Sequence, residues 1–282
     1  MSAFTVPNHK IVAAKNRRSE SFSQKELNTA KKLSRQFRES IKVHCSHTFY
    51  WDHGYRAGNL HESNLWQIAS GIDNARPFSV RESIDIPDFH IGILVDCSGS
   101  MSADVGNSYS GESVMSAARA LTLGFAQALD DIEGVHVSVC GHTEENGEVH
   151  LLMVKRARTE LNVNSFSALT AQSGNLDGLA VVAFCREMRK DMMPGERGIL
   201  VLISDGAPCH SPLIMKKAFH VAKRNHDITV LPIGVGRSLA SRTDVCNEYY
   251  GAGNYVVAAD VVSSAPAIIS KANSYIAELK PM

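Results

Sequence analysis

Between residues 24 and 43, Leu27, Ala30, Leu33, Phe37 and Ile41 recur at three- and four-residue steps. That spacing is the apolar stripe of an amphipathic helix. Lys25, Lys31, Lys32, Arg35 and Arg38 occupy the rest of the helix and read as its solvated face. Phe49-Tyr-Trp51, followed by Leu60, Leu65, Trp66 and Ile68, suggests a second helical piece packed on the body. From Phe89 onward the pattern changes. Short apolar runs such as 91–95 and 199–203 lack polar alternation, as strands buried on both faces do, and they alternate with segments of helical period. The succession predicts βαβ units in a mostly parallel sheet, with strands near 89–95, 135–141, 148–154, 198–204, 228–234 and 254–258. Helices are expected near 111–130, 176–191, 212–225, 239–249 and 263–278. Glu144-Glu-Asn-Gly147 is a tight-turn signal, so the second and third strands form a hairpin. The third then becomes the antiparallel edge of a six-stranded sheet. The polar residues 1–20, with Lys15, Arg17 and Arg18, read as a mobile arm.

The chemistry gathers where two of these strands end. Ile91–Val95 leads into Asp96-Cys-Ser98-Gly-Ser100, and Ile199–Ile203 leads into Ser204-Asp205-Gly206. Carboxylate and hydroxyl oxygens suit Mg²⁺ or Mn²⁺, and the lack of His or Cys at these positions argues against Zn²⁺. Parallel neighbours place both aspartates at the carboxyl edge of the sheet, where open α/β sheets bind ligands. Two carboxylates converging there repel one another unless a cation lies between them. The blander reading makes the serines caps of the next helix, but it leaves the second acidic strand end unexplained.

Asp96-x-Ser98-x-Ser100 followed by Ile203-Ser-Asp205-Gly206 resembles the metal-ion-dependent adhesion site of von Willebrand factor A (vWA) domains, over roughly residues 85–280. Leu202–Pro208, Gly174-Asn-Leu-Asp-Gly178 and Ile233-Gly-Val-Gly236 are similar to the vWA domain of the cobaltochelatase CobT subunit and to vWA proteins that partner MoxR-type AAA+ ATPases. Upstream, Gly58-Asn-Leu60, Leu65 and Phe78 look like the segment that precedes the domain in that group. The resemblance implies an α/β, Rossmann-like doubly wound vWA fold over 81–282. Residues 1–80 then form an N-terminal arm and helical segment packed on that body. It also implies that Asp96, Ser98, Ser100 and Asp205 hold Mg²⁺ or Mn²⁺. Most such sites take a further ligand from a threonine ahead of a helix; here that register falls on Asn175, with Asp177 the alternative. Asn175 otherwise serves as the cap of the helix that follows.

Composition narrows the setting. Lys plus Arg equals Asp plus Glu at 29 each, so no global field favours nucleic acid or anionic lipid. No apolar run reaches membrane-spanning length, and Met1-Ser-Ala-Phe-Thr-Val-Pro lacks the basic-then-apolar pattern of a signal peptide. The six cysteines show no Cys-x-x-Cys spacing and suit buried, reduced thiols in a cytoplasmic protein. His44-Cys-Ser-His47 with His53 lacks the repeating spacing of a zinc site. Cys209-His210 is too close in sequence for a nucleophile and its base, and reads as part of the site rim. Ser98 stands where a phosphoaspartate hydrolase needs a second carboxylate, and no Gly-x-x-x-x-Gly-Lys-Ser/Thr loop is present.

The expected role is therefore that of a binding module, not an enzyme. In the resemblance, the cation keeps an open position that a partner's carboxylate fills. The chain would act as adaptor or substrate-recognition subunit for a MoxR-type AAA+ ATPase and its protein client. A chelatase subunit inserting Co²⁺ or Mg²⁺ into a tetrapyrrole is the alternative, weakened because no long acidic region precedes the domain. An extracellular adhesion module is the third reading, and unpaired thiols disfavour it.

Overall fold

A computed structural model of the chain describes residues 9–13, 19–45, 49–83, 89–104, 112–206, 211–236, 239 and 241–278. The chain divides into two compact units, one of residues 1–44 with 87–282 and one of residues 45–86. The amphipathic helix expected at 24–43 thus groups with the larger unit.

In the larger unit the strands are β1 (His9–Ala13), β5 (Phe89–Asp96), β6 (Val135–Glu145), β7 (Glu148–Lys155), β8 (Arg197–Ser204), β9 (Ile228–Val235) and β10 (Val256–Ala258). They form one sheet in the order β1-β7-β6-β5-β8-β9-β10, and of its pairings only β6 with β7 is antiparallel. All eight residues of β5 are buried at its centre, as a strand covered on both faces must be. The helices are α1 (Gln24–Cys45), α3 (Val114–Asp130), α4 (Asp177–Asp191), α5 (Pro212–His226), α6 (Thr243–Tyr250) and α7 (Ala265–Glu278). Phe184 and Met188 of α4 pack with Leu94 and Leu200 of the sheet, and Met215 and Ala218 of α5 extend the same core. Gly92 permits this closeness, because a Cβ there would lie 2.3 Å from Met188 Sδ.

Two features depart from the expectation for this unit. Among the described residues the sheet has seven strands, not six, and β7 is not its edge. Part of the stretch read as a mobile arm forms β1, which runs parallel to β7 with His9 opposite Val149 and Ala13 opposite Met153. An uncovered β7 would present a row of unpaired backbone groups, and β1 satisfies them. Five residues with no clear alternation carry too little pattern to show this in the sequence.

Helix α1 is a core element. Leu33 and Phe37 are fully buried, and Phe37 meets Phe125 of α3 edge-on with ring centres 4.6 Å apart. Gly124 of α3 lies so close that an added Cβ would be 2.7 Å from the Ala30 carbonyl oxygen. Ser23 and Glu26 form a capping box: the Ser23 amide donates to Glu26 Oε2 at 2.7 Å and the Glu26 amide donates to Ser23 Oγ at 3.2 Å. The second oxygen of Glu26 accepts from Arg119 Nε at 2.9 Å, so a buried ion pair ties the start of α1 to α3.

The smaller unit is a three-stranded antiparallel sheet, β2 (Phe49–Tyr55), β4 (Phe78–Ser83) and β3 (Asn59–Leu60), with a short helix α2 (Leu65–Ala69). The second helical piece expected from residue 49 is therefore mostly strand. Aromatic clusters such as 49–51 favour the pleated surface of a sheet over a helix. Gly58 turns the chain at φ +136°, where an added Cβ would lie 2.5 Å from the Ser79 carbonyl oxygen.

If α1 belongs to the core, Phe37→Ala will lower the unfolding free energy by about 3–5 kcal/mol, the usual cost of emptying a large aromatic site. Urea denaturation checks this. A peripheral helix would lose less than about 1 kcal/mol.

Candidate metal centre

Asp96 ends β5 and Asp205 follows β8, its immediate neighbour, so both carboxylates stand on one edge of the sheet. Between them lies a chain of polar contacts. The Ser98 amide donates to Asp96 Oδ1 at 2.7 Å, the Ser98 and Ser100 hydroxyls are 2.9 Å apart, and Ser100 Oγ donates to Asp205 Oδ1 at 3.1 Å. The four residues expected at the site are thus brought together. The turn is pinned from outside, since the Gly99 amide donates to Ser173 O at 2.9 Å and the Gln172 amide to Cys97 O at 2.7 Å. Gly99 serves close approach there, because a Cβ would sit 3.0 Å from Gln172 O. Left-handed backbone is not needed, as Gly99 is not among the glycines of positive φ.

Asn175 stands beside Asp96 at the start of α4. Asn175 Nδ2 donates to Asp96 Oδ2 at 2.8 Å, and its carbonyl oxygen accepts from the Asp177 amide at 2.9 Å, the first amide of α4. The reverse orientation of the amide would set its oxygen against a carboxylate. Asn175 therefore holds Asp96 and tethers α4 with the same side chain. Asp177 lies fully buried beside Asp96, and Ser204 Oγ lies 3.2 Å from Asp96 Oδ2 and 3.2 Å from Asp177 Oδ2.

One residue at this centre escaped the sequence reading. His142, at the carboxyl end of β6, is the Cα partner of Asp96 across the β5–β6 pairing. Its Nε2 lies 3.0 Å from Asp177 Oδ1, with both side chains wholly inaccessible. The alignment is poor, and neither atom has a hydrogen-bond partner among the described residues. Asp96, His142 and Asp177 each bring a ligand-type atom within 4.8 Å of the others. The signal was available: β6 is parallel to β5, so a titratable residue just past its apolar run had to reach the same edge. The His44-Cys-Ser-His47 group and Cys209-His210 fall, wholly or in their side chains, outside the described residues.

The electrostatics are those of crowded acids. Burial, and then the Asp177 charge, push the Asp96 carboxyl up to about 7, against the pull of His142 and the Ser98 amide. Burial, reinforced by Asp177, also raises Asp205, although the Ser100 hydroxyl opposes it. For His142 burial works against the charged form, but the contact with Asp177 and the charges of Asp177 and Asp96 outweigh it and raise its value. Each of these groups is shifted toward holding positive charge or shedding negative charge.

No protein-family model matches the sequence, and neither does any curated protein. Among solved structures, the chain is similar to a point mutant of the PilB minor pilin from Streptococcus sanguinis, at 13% identity and TM-score 0.51, over 73% of this chain and 67% of that one. It is also similar to the SpRpn10 VWA domain, at 12% identity and TM-score 0.45, over 60% of this chain and 86% of that one. A third neighbour is the manganese-loaded TRAP protein of Plasmodium vivax, at 15% identity and TM-score 0.46, over 69% and 76%. At such identities the likeness concerns the fold alone. The larger unit is a mostly parallel sheet with one antiparallel pairing, flanked by helices, and with Asp96, Ser98, Ser100 and Asp205 at its carboxyl edge.

The shifts set the pH response of chelator-treated protein. Folded Asp96 keeps its proton up to about pH 7, whereas an unfolded aspartate releases it near about pH 4. Its contribution to stability is therefore lost as pH rises between those values. The raised His142 contributes below about pH 6.5 and loses that contribution as pH climbs through its folded value. Both slopes share a sign, so the melting temperature without divalent ions will fall from about pH 5 to about pH 8. Asp96→Asn will flatten the decline, which thermal melts in chelator measure directly.

Proposed function

We propose that the chain is a metal-dependent protein-docking module whose rim, formed by Asp96, Ser98, Ser100 and Asp205, holds Mg²⁺ or Mn²⁺. One observation carries the reading: two hydroxyls and the Asp205 carboxylate are joined in one hydrogen-bonded chain at an accessible edge, with Asp96 buried behind them. The donor set fits the ion. All of the oxygens are hard, and the buried acids are shifted toward demanding positive charge. A bound cation supplies a Lewis-acidic position for the carboxylate of an incoming protein. The chain's own residues do the rest: Ser98 and Ser100 order the turn, Asn175 fixes the direction of Asp96, and Ser204 links Asp96 to Asp177. In this reading Asn175 is a positioning residue, because its carbonyl oxygen is engaged with the first amide of α4.

The partner in this reading is a MoxR-type AAA+ ATPase with its protein client, and the setting is the cytoplasm. What supports it is the set of short motifs that resemble the vWA proteins of that group, Gly174–Gly178 and Leu202–Pro208 among them. The chain contributes binding, and ATP-driven work belongs to the partner, since its sequence contains no phosphate loop. No described helix is long and apolar enough to cross a membrane.

Calorimetry with Mg²⁺ tests the ion: Asp96→Ala and Asp205→Ala will each weaken binding by tenfold or more. Unchanged affinity in Asp205→Ala would remove the rim assignment. The partnership is read from the ATPase rate of the cognate ATPase with wild-type chain and with Asp205→Ala. Stimulation and complex formation should depend on the carboxylate; equal values for both proteins refute a metal-dependent adaptor.

A further inference from the structure

We propose that Asp96, Asp177 and His142 form an inner cation site behind the rim, with Asp96 shared between the two, that binds a divalent transition-metal ion through the His142 imidazole. The rim reading uses oxygen ligands only; this site adds a nitrogen and does not depend on the rim ion.

The first ground is placement. His142 and Asp96 are paired across neighbouring parallel strands, and Asp177 opens α4 against both, so three backbone elements aim their side chains at one point. The ligand-type atoms of all three lie within 4.8 Å of one another. The second ground is an unsatisfied contact. His142 Nε2 and Asp177 Oδ1 stand 3.0 Å apart with no exposure, yet neither has a hydrogen-bond partner among the described residues. Buried polar atoms are seldom left in that state. Two adjacent ligands of a six-coordinate ion, each about 2.1 Å from it, also stand about 3.0 Å apart, and such a pair is not aligned for a hydrogen bond.

The remaining atoms fit the same assignment. Asp177 Oδ2 lies within hydrogen-bond reach of Ser204 Oγ, and Asp96 Oδ2 of Asn175 Nδ2 and Ser204 Oγ. These neighbours orient both carboxylates, as the outer partners of metal ligands do. Charge points the same way. When ionised, the two wholly buried carboxylates outnumber the one imidazole, an excess in a medium of low dielectric that a dication neutralises. The imidazole sets the metal class: a nitrogen donor favours Mn²⁺, Co²⁺ or Zn²⁺ over Mg²⁺, which seeks oxygen.

Pulsed electron paramagnetic resonance on the full, tag-free chain loaded with Mn²⁺ tests this. Wild type should show nitrogen modulation from a coordinated imidazole, shifted in frequency when the chain is made with ¹⁵N-histidine. The signal should persist in Asp205→Ala and vanish in His142→Gln, with near-ultraviolet circular dichroism reporting that the fold is kept. If His142→Gln does not fold, Asp177→Asn, matched in volume, should lower Mn²⁺ affinity tenfold or more and lose the modulation. Absence of modulation in wild type would make His142–Asp177 an ion pair only and overturn the proposal. Modulation that survives His142→Gln would overturn it too, and loss in Asp205→Ala would overturn its independence of the rim ion. Failure of the rim reading shows elsewhere, as Mg²⁺ affinity and partner stimulation indifferent to Asp205→Ala.

Discussion

Like charge in low dielectric is the constraint around which this molecule is arranged. Asp96 and Asp177 are wholly buried side by side, and neither can be withdrawn into solvent without dismantling a strand end or a helix start. Every neighbour answers that difficulty. Ser98 offers an amide, Asn175 an amide nitrogen, Ser204 a hydroxyl and His142 a basic ring. Such contacts soften the repulsion but carry at most one positive charge among them, and the raised Asp96 registers what is left over. That surplus is what the proposed divalent cation would balance, and it arises in the core of the site and not at its rim alone.

Holding that arrangement requires a stiff platform. The centre draws on the ends of β5, β6 and β8 and the first turn of α4, so a shift of any of these elements displaces a charged group. The close approaches at Gly92 and Gly124 show how tightly helices are seated on the sheet and on one another. Helix α1 extends the platform, anchored by Phe37 and by the Glu26–Arg119 pair. Strand β1 closes the far edge beside β7, and His9 reaches Glu187 of α4 at 3.1 Å. Residues before the first central strand thus contribute directly to the rigidity of the unit that carries the site.

How much of this could be read in advance depends on the range of the interaction that decides it. The central strands, the helices between them and the paired aspartates were legible, because an uninterrupted apolar run, a helical stripe and an Asp-x-Ser-x-Ser turn are each written within a few residues. The four rim residues likewise needed only the rule that parallel strands end on one edge. Strand β1 was not legible: His9–Ala13 has no alternation of its own, and its state is set by the hydrogen bonds that β7 has to spare. The aromatic run at 49–51 has the composition of a strand, but three residues are too short a run to fix that state, and pairing with β4 settles it.

The division is sharpest at the metal centre. Sequence alone determined which strand ends carry carboxylates and hydroxyls and that Asn175 or Asp177 stands at the head of a helix. Only the tertiary structure shows what each touches: the Asn175 carbonyl oxygen accepts from an amide of α4, and Asp177 Oδ1 faces His142. Forty-six residues separate Asp96 from His142 in the chain, and the β5–β6 register makes them direct neighbours. Motif spacing records short-range geometry along one segment, whereas a site assembled from three strand ends and a helix exists only once the sheet has set their order and register.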